Sequence, residues 1–165
     1  ICPDAKTVGI IYCSGEPNSV FQADKMAGFL EGKGLTVKRF TVADSNEIQA
    51  VLSSAVEEID VLYIPTDNTM ADNMELVKNL TVPAKLPVIC GEENMCKNGG
   101  LATLSISYFD MGYAAGQLAA SILLGEADPA TSPIVYCADA TREFNSEVAE
   151  AIGWTIPEGM TAIAD

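Results

Sequence analysis

The sequence predicts an α/β fold: a three-layer, flavodoxin-like parallel sheet with helices on both faces. Three observations carry that prediction. Short apolar runs alternate with segments of helical spacing along most of the chain. The first such run, TVGIIYC, is continuously apolar, as a strand buried on both faces must be. Glycine, proline, asparagine and aspartate cluster between the periodic segments, where turns belong.

The elements follow in order. TVGIIYC (7–13) is the first strand. Val20, Ala23, Ala27 and Leu30 then recur at helical spacing, and Gly32 and Gly34 end that helix. LTVKRFTV (35–42) alternates in polarity, which suits an edge strand. Asp44 and Glu47 resemble a capping box ahead of a helix whose face is Ile48, Val51, Leu52 and Ala55. DVLYIP (60–65) is a buried strand, and TDNTMADNMELVKNL (66–80) is expected to follow as one helix. LPVIC (86–90) is the fourth strand, GEENMCKNGG a loop, and LATLSIS (101–107) the fifth strand. Tyr108 to Leu124 forms a long helix with Met111, Ala115, Leu118 and Ile122 on one face. Beyond GEADPATSP the pattern weakens. PIVYC (133–137) and TREFN (141–145) read as extended, SEVAEAIG (146–153) as a short helix and WTIPEGMTAIAD as irregular. The expected organisation is one lobe over 1–128, including the 108–124 helix. A crossover segment and tail over 129–165 then pack back on it.

Composition excludes several functions. The 165 residues suffice for one domain with a sizeable core. A formal net charge of −14 opposes binding to nucleic acid or to anionic lipid. There is no histidine, which removes histidine-dependent triads and most zinc sites. No apolar stretch is long enough to span a membrane, and no signal peptide is visible. Opening on Ile1, the chain reads as a processed or truncated product. Of the five cysteines, Cys13 and Cys90 read as buried small hydrophobes. The spacing of Cys90 and Cys96 fits neither a metal nor a redox motif, and a disulfide between them has no support. No dinucleotide, P-loop, receiver or nucleophile-elbow pattern occurs, which argues against those enzyme classes, and no cofactor is expected.

In parallel sheets of this kind ligands bind outside the carboxyl ends of the strands. That rule selects the loops 14–19, 66–69, 91–99 and 107–110. The first holds Ser14, Glu16, Asn18 and Ser19, with Pro17 suited to the first helical turn. The free N–H groups beyond it favour a carboxylate or phosphate, although serine and asparagine there also suit helix capping. The third-strand loop adds Thr66, Asp67 and Asn68, again with a capping reading beside the ligand one. N–H donors on one loop and the carboxylate of Asp67 on the other would together suit a zwitterion such as an amino acid. Asn18 and Ser19 are expected at its carboxylate and Asp67 at its ammonium. Glu92 and Tyr108 are further candidates from the later loops.

Longer motifs add a family resemblance. ICPDAKTVGIIYCSGEPNSV resembles the segment opening the second lobe of one group of ABC-transporter substrate-binding proteins, a group linked to aromatic amino acids such as tryptophan and tyrosine. VLYIPTDNTMADNMELV, LPVICGEENMCKNGGLATLSISYFDMGYAAGQLAASILLGEADP and FNSEVAEAIGWTIPE match that group's later motifs in the same order. The resemblance implies a type I periplasmic-binding-protein fold, a lipoprotein or periplasmic location, a permease partner and no catalysis. Cys13 departs from the group's usual asparagine. It further implies that the N-terminal lobe lies outside this sequence, leaving the apolar face of the 108–124 helix without its usual partner. That helix is then expected to dock on another copy as a homodimer, to swap, or to pack on its own lobe. The rival expectations are a flavodoxin-like enzyme and the effector-binding lobe of a transcription regulator.

Overall fold

A computed structural model describes residues 1–136 and 140–163. Among them seven strands form one sheet: β1 (Thr7–Cys13), β2 (Thr36–Val42), β3 (Val61–Ile64), β4 (Val88–Cys90), β5 (Ala102–Ile106), β6 (Ala140–Phe144) and β7 (Thr161–Ala162). Their order is β2-β1-β3-β4-β5-β6-β7. Pairing is parallel from β2 through β5, antiparallel between β5 and β6, and parallel again to β7. β2 is the edge strand that its alternation predicts.

Helices cover both faces. α1 (Pro17–Gly32) buries Ala23 and Ala27 against Ile10 and Tyr12 of β1. Two alanines let the helix approach the sheet closely. The opposite face carries the larger core. There α2 (Ile48–Ala55), α4 (Met74–Thr81) and α5 (Glu93–Asn98) enclose Ile11, Leu52, Leu62, Ile64, Met70 and Met74. α7 (Ser146–Ile152) closes a third cluster with Leu101 and Ala102, and Gly153 ends it at φ 70°. That left-handed conformation is cheap for glycine and strained for other residues.

This asymmetry follows from handedness. Right-handed crossovers that step from β3 to β4 to β5 must place their helices on one face, whereas the reverse step from β1 to β2 places α1 on the other. The α1 face beyond β1 is therefore left thinly covered. Leu104 on β5 is 60% exposed. An open apolar cleft of about 430 Å³ runs along this face beside Val8, Leu30, Val61, Tyr63 and Ile89.

Several elements differ from expectation. The 66–80 segment is two helices, α3 (Asn68–Ala71) and α4, broken at Asp72–Asn73. Asn73 donates its side-chain amide to Thr69 O (2.7 Å), the kind of local bond that competes with helix continuation. GEENMCKNGG is not all loop. It contains α5, which the Glu92 side chain caps and which buries Met95 and Cys96. The tail contributes β7, two residues paired to Glu143 and Phe144. Residues 133–136 lie in no strand, and Cys137 falls outside the described residues. The Asp44–Glu47 pair caps but does not form the reciprocal box: Asp44 accepts from Asn46 N and Glu47 from Ala43 N, each one residue away from the box partner, because the pair opens a 3-10 turn, Ser45–Glu47, ahead of α2.

The long helix is α6 (Tyr108–Leu123), capped by Ser107, and none of its residues is buried. Phe109, Tyr113 and Leu123 stand in solvent. No described helix is long and apolar enough to cross a membrane.

Candidate functional site

β1 and β3 lie side by side in parallel, so the loops that leave them meet at the carboxyl edge of the sheet. Their side chains tie each loop to the other. Asp67 caps α3 by accepting from Met70 N (2.8 Å). It also accepts from Cys13 N at the end of β1 (2.7 Å) and from Ser19 Oγ in α1 (2.5 Å). Glu16 reaches in the opposite direction. Its two oxygens accept from Asn68 N, Asn68 Nδ2, Thr69 N and Thr69 Oγ1, all at 2.8–2.9 Å. Burial alone would raise the pKa of Glu16. The four donors outweigh it and hold the group down to about 2. Asn18 Nδ2 donates to Thr66 O (2.9 Å), and Thr66 N donates to Gln22 Oε1 (3.0 Å).

The fourth loop joins at Gly91. A Cβ there would fall 2.5 Å from Thr66 N and 2.7 Å from Pro65 C, so only glycine lets the β3 and β4 loops touch. Glu92 follows it and is spent on its own helix, accepting from Asn94 N (3.0 Å) and Met95 N (2.5 Å). Ser14 turns sideways to β2, donating both its N–H and its Oγ to Val42 O. Tyr108 opens α6 half-exposed and makes no hydrogen bond to the other candidates.

Seven of the nine expected residues are thus gathered on two neighbouring loops, and five of them face solvent at least in part: Ser14, Glu16, Asn18, Thr66 and Asn68. The other roles change. Neither Asn18 nor Ser19 caps α1. The cap position is Glu16, and no side chain caps that helix. Ser19 is 0% exposed and its hydroxyl is taken by Asp67. Asp67 is itself 1% exposed with three internal donors, so an ammonium has no path to it. Glu92 likewise serves as a cap. Thr69 and Gln22 were missed. Thr69 stands in the TDNT run one residue beyond the expected set, while nothing local in the sequence marks Gln22.

Chemically, the rim presents amides and hydroxyls beside a long helix whose N-terminal N–H groups lack a side-chain cap. Such a helix end favours an anionic group. No group of three or more His, Cys, Asp or Glu among the described residues is arranged to hold a metal ion. Cys90 and Cys96 are buried free thiols, and burial pushes Cys96 up to about 12. Both are therefore protonated and unreactive.

Comparison with known proteins agrees with this architecture. A tyrosine-binding protein from Clostridioides difficile (strain R20291) is 36% identical over 126 residues, which is 76% of this chain and 36% of that protein. A Streptococcus pneumonia domain solved in complex with L-Trp superposes with TM-score 0.85 at 32% identity, covering 98% of this chain and 56% of that one. A ligand-free, open substrate-binding protein with adhesive properties from Clostridium difficile gives TM-score 0.82 at 34% identity, over 98% and 55%. The chain spans about half the length of these structures. A LacI-family regulator from Arthrobacter, 15% identical at TM-score 0.58, shares the fold alone. These neighbours carry the type I periplasmic-binding-protein fold. A family model described as ABC transporter substrate binding protein matches residues 1–165, and the chain belongs to that family.

Proposed function

We propose that this chain is the C-terminal lobe of an extracytoplasmic solute-binding protein that delivers an aromatic or other apolar amino acid to an ABC permease. The observation that carries the proposal is the paired rim of loops 14–19 and 66–69 at the carboxyl edge of the sheet. There Ser14, Asn18, Thr66 and Asn68 leave polar groups open beside the uncapped start of α1. In this reading the ligand carboxylate lies against that helix start and the amide groups of Asn18 and Asn68. In the same reading Tyr108, exposed at the start of α6, flanks the ligand side chain. Asp67, Ser19, Glu16 and Glu92 hold the framework. The tyrosine and L-Trp named for two relatives support the ligand class. No step of this role requires a covalent reaction.

Two lobes closing on a ligand bury it from both sides, and one lobe supplies only part of that burial. Calorimetry with L-tryptophan and L-tyrosine therefore has a definite expectation. The natural full-length protein binds with micromolar or better affinity, and residues 1–165 alone bind weakly. Asn18→Ala and Asn68→Ala in the full-length protein weaken binding about tenfold each. Unchanged affinity in both variants would rule out this rim as the site.

The same proposal accounts for α6. Its apolar residues pack on the other lobe, and in residues 1–165 alone they stay in solvent or join a second copy. Small-angle scattering of that fragment distinguishes an extended monomer and a dimer from a compact monomer. A compact monomer would mean that α6 packs on its own lobe.

A further inference from the structure

We infer that Glu16 is a positioning residue: it latches the β1 loop to the start of α3, so that the ligand-facing groups of both loops are assembled before any ligand arrives. The inference rests on the amino-acid-binding reading above and adds how that site gains its affinity.

The geometry separates Glu16 from an ordinary cap. A capping carboxylate serves the helix that follows it, as Glu92 serves α5 and Asp67 serves α3. Glu16 occupies the cap position of α1, where its backbone carbonyl accepts from Val20 N (3.0 Å) but its side chain makes no bond to that helix. All four hydrogen bonds of the side chain go instead to Asn68 and Thr69, more than fifty residues away in sequence. Asp67 returns the tie, reaching back from the third loop to Cys13 and Ser19. The two loops thus hold each other by reciprocal carboxylates. The two ties differ in depth. Asp67 is sealed in the core, and its loss breaks the framework. Glu16 lies at the rim, only partly covered, and its loss releases the latch while the sheet beneath stays closed.

A released latch has a kinetic consequence. The Asn68 amide is one of the four donors, so without Glu16 the side chain that faces the ligand is free to turn. Binding must then order it, which lowers the association rate and adds an entropic cost.

Two measurements test this. The first is amide hydrogen exchange on residues 1–165 without ligand, comparing the parent with Glu16→Gln. The expected result is at least tenfold faster exchange at Asn68 and Thr69, with Asn46 in the Asp44 cap unchanged. Unchanged exchange at Asn68 and Thr69 overturns the latch. The second is stopped-flow binding of L-tryptophan and L-tyrosine to the natural full-length protein and its Glu16→Gln and Thr69→Val variants. Glu16→Gln is expected to weaken affinity about 10- to 100-fold, mostly through slower association. Thr69→Val, which removes one of the four donors, falls between it and the parent. Faster exchange with unaltered binding kinetics reduces Glu16 to a structural brace and overturns the inference. A parent that binds neither amino acid sinks the amino-acid reading instead, and the positioning role, which rests on it, falls with it.

Discussion

Replacing Asp67 with alanine tests the framework most directly. The carboxylate takes Cys13 N, Met70 N and Ser19 Oγ within 2.5–2.8 Å, and the residue is 1% exposed. The serine hydroxyl can rotate toward another acceptor, but the two backbone N–H groups cannot. Each stranded buried donor costs about 1–3 kcal/mol. The lost hydroxyl bond and the small void add roughly 1 kcal/mol more. The sum is about 3–7 kcal/mol, a large share of the roughly 5–15 kcal/mol typical of a domain. At about 2–4 °C per kcal/mol for a chain of this length, the melting temperature falls by roughly 6–28 °C. Urea unfolding followed by circular dichroism measures the cost. A change below about 1 kcal/mol would refute the reasoning. If such a stable variant also lost amino-acid binding, Asp67 would face the ligand after all.

Three further outcomes follow from other contacts. Gly91→Ala forces a Cβ within 2.5 Å of Thr66 N, so the β3 loop must move. The expected cost is about 1–3 kcal/mol, seen as a lower urea midpoint, and a neutral result would mean that the two loops part freely. Glu16 has its folded pKa lowered from 4.5 to about 2. Its stabilisation is complete above pH 4.5 and is lost as the pH falls from there toward 2. Stability curves of the parent and Glu16→Gln should therefore keep a constant gap above pH 4.5 that closes as the pH falls toward 2, and a gap unchanged over that range would contradict the shift. Leu52→Ala removes a fully buried side chain and should cost about 2–5 kcal/mol in residues 1–165. Leu118→Ala in α6 should cost under about 1 kcal/mol. Equal costs would show that α6 is buried in solution.

The strands were legible because burial writes itself into local sequence. TVGIIYC must be apolar throughout when helices cover both of its faces, and LTVKRFTV alternates because an edge strand is covered less. α1, α2 and α6 were legible from spacing over two turns or more. α5 was not, since its six residues complete less than two turns and its cap, Glu92, reads as a candidate ligand-facing acid in a loop. The break at Asp72–Asn73 and the two-residue β7 were equally hidden, because each depends on neighbours that folding supplies.

For the site, the sequence by itself determined which edge of the sheet the two loops share, and the strand order that makes them neighbours came from the structure. Alternating strands and helices with right-handed crossovers leave no other edge for residues 14–19 and 66–69. It also put seven of the nine candidate residues on those two loops. Only the tertiary structure decided what each one does. Asp67 and Glu16 are both acids in polar loops, and nothing local says that one is sealed under β1 while the other clasps α3 from outside. Their partners lie 54 and 52 residues away. Hydrogen bonds across such separations depend on the packing of β1 against β3 and on the missing side chain of Gly91, and neither is encoded within a single turn of sequence.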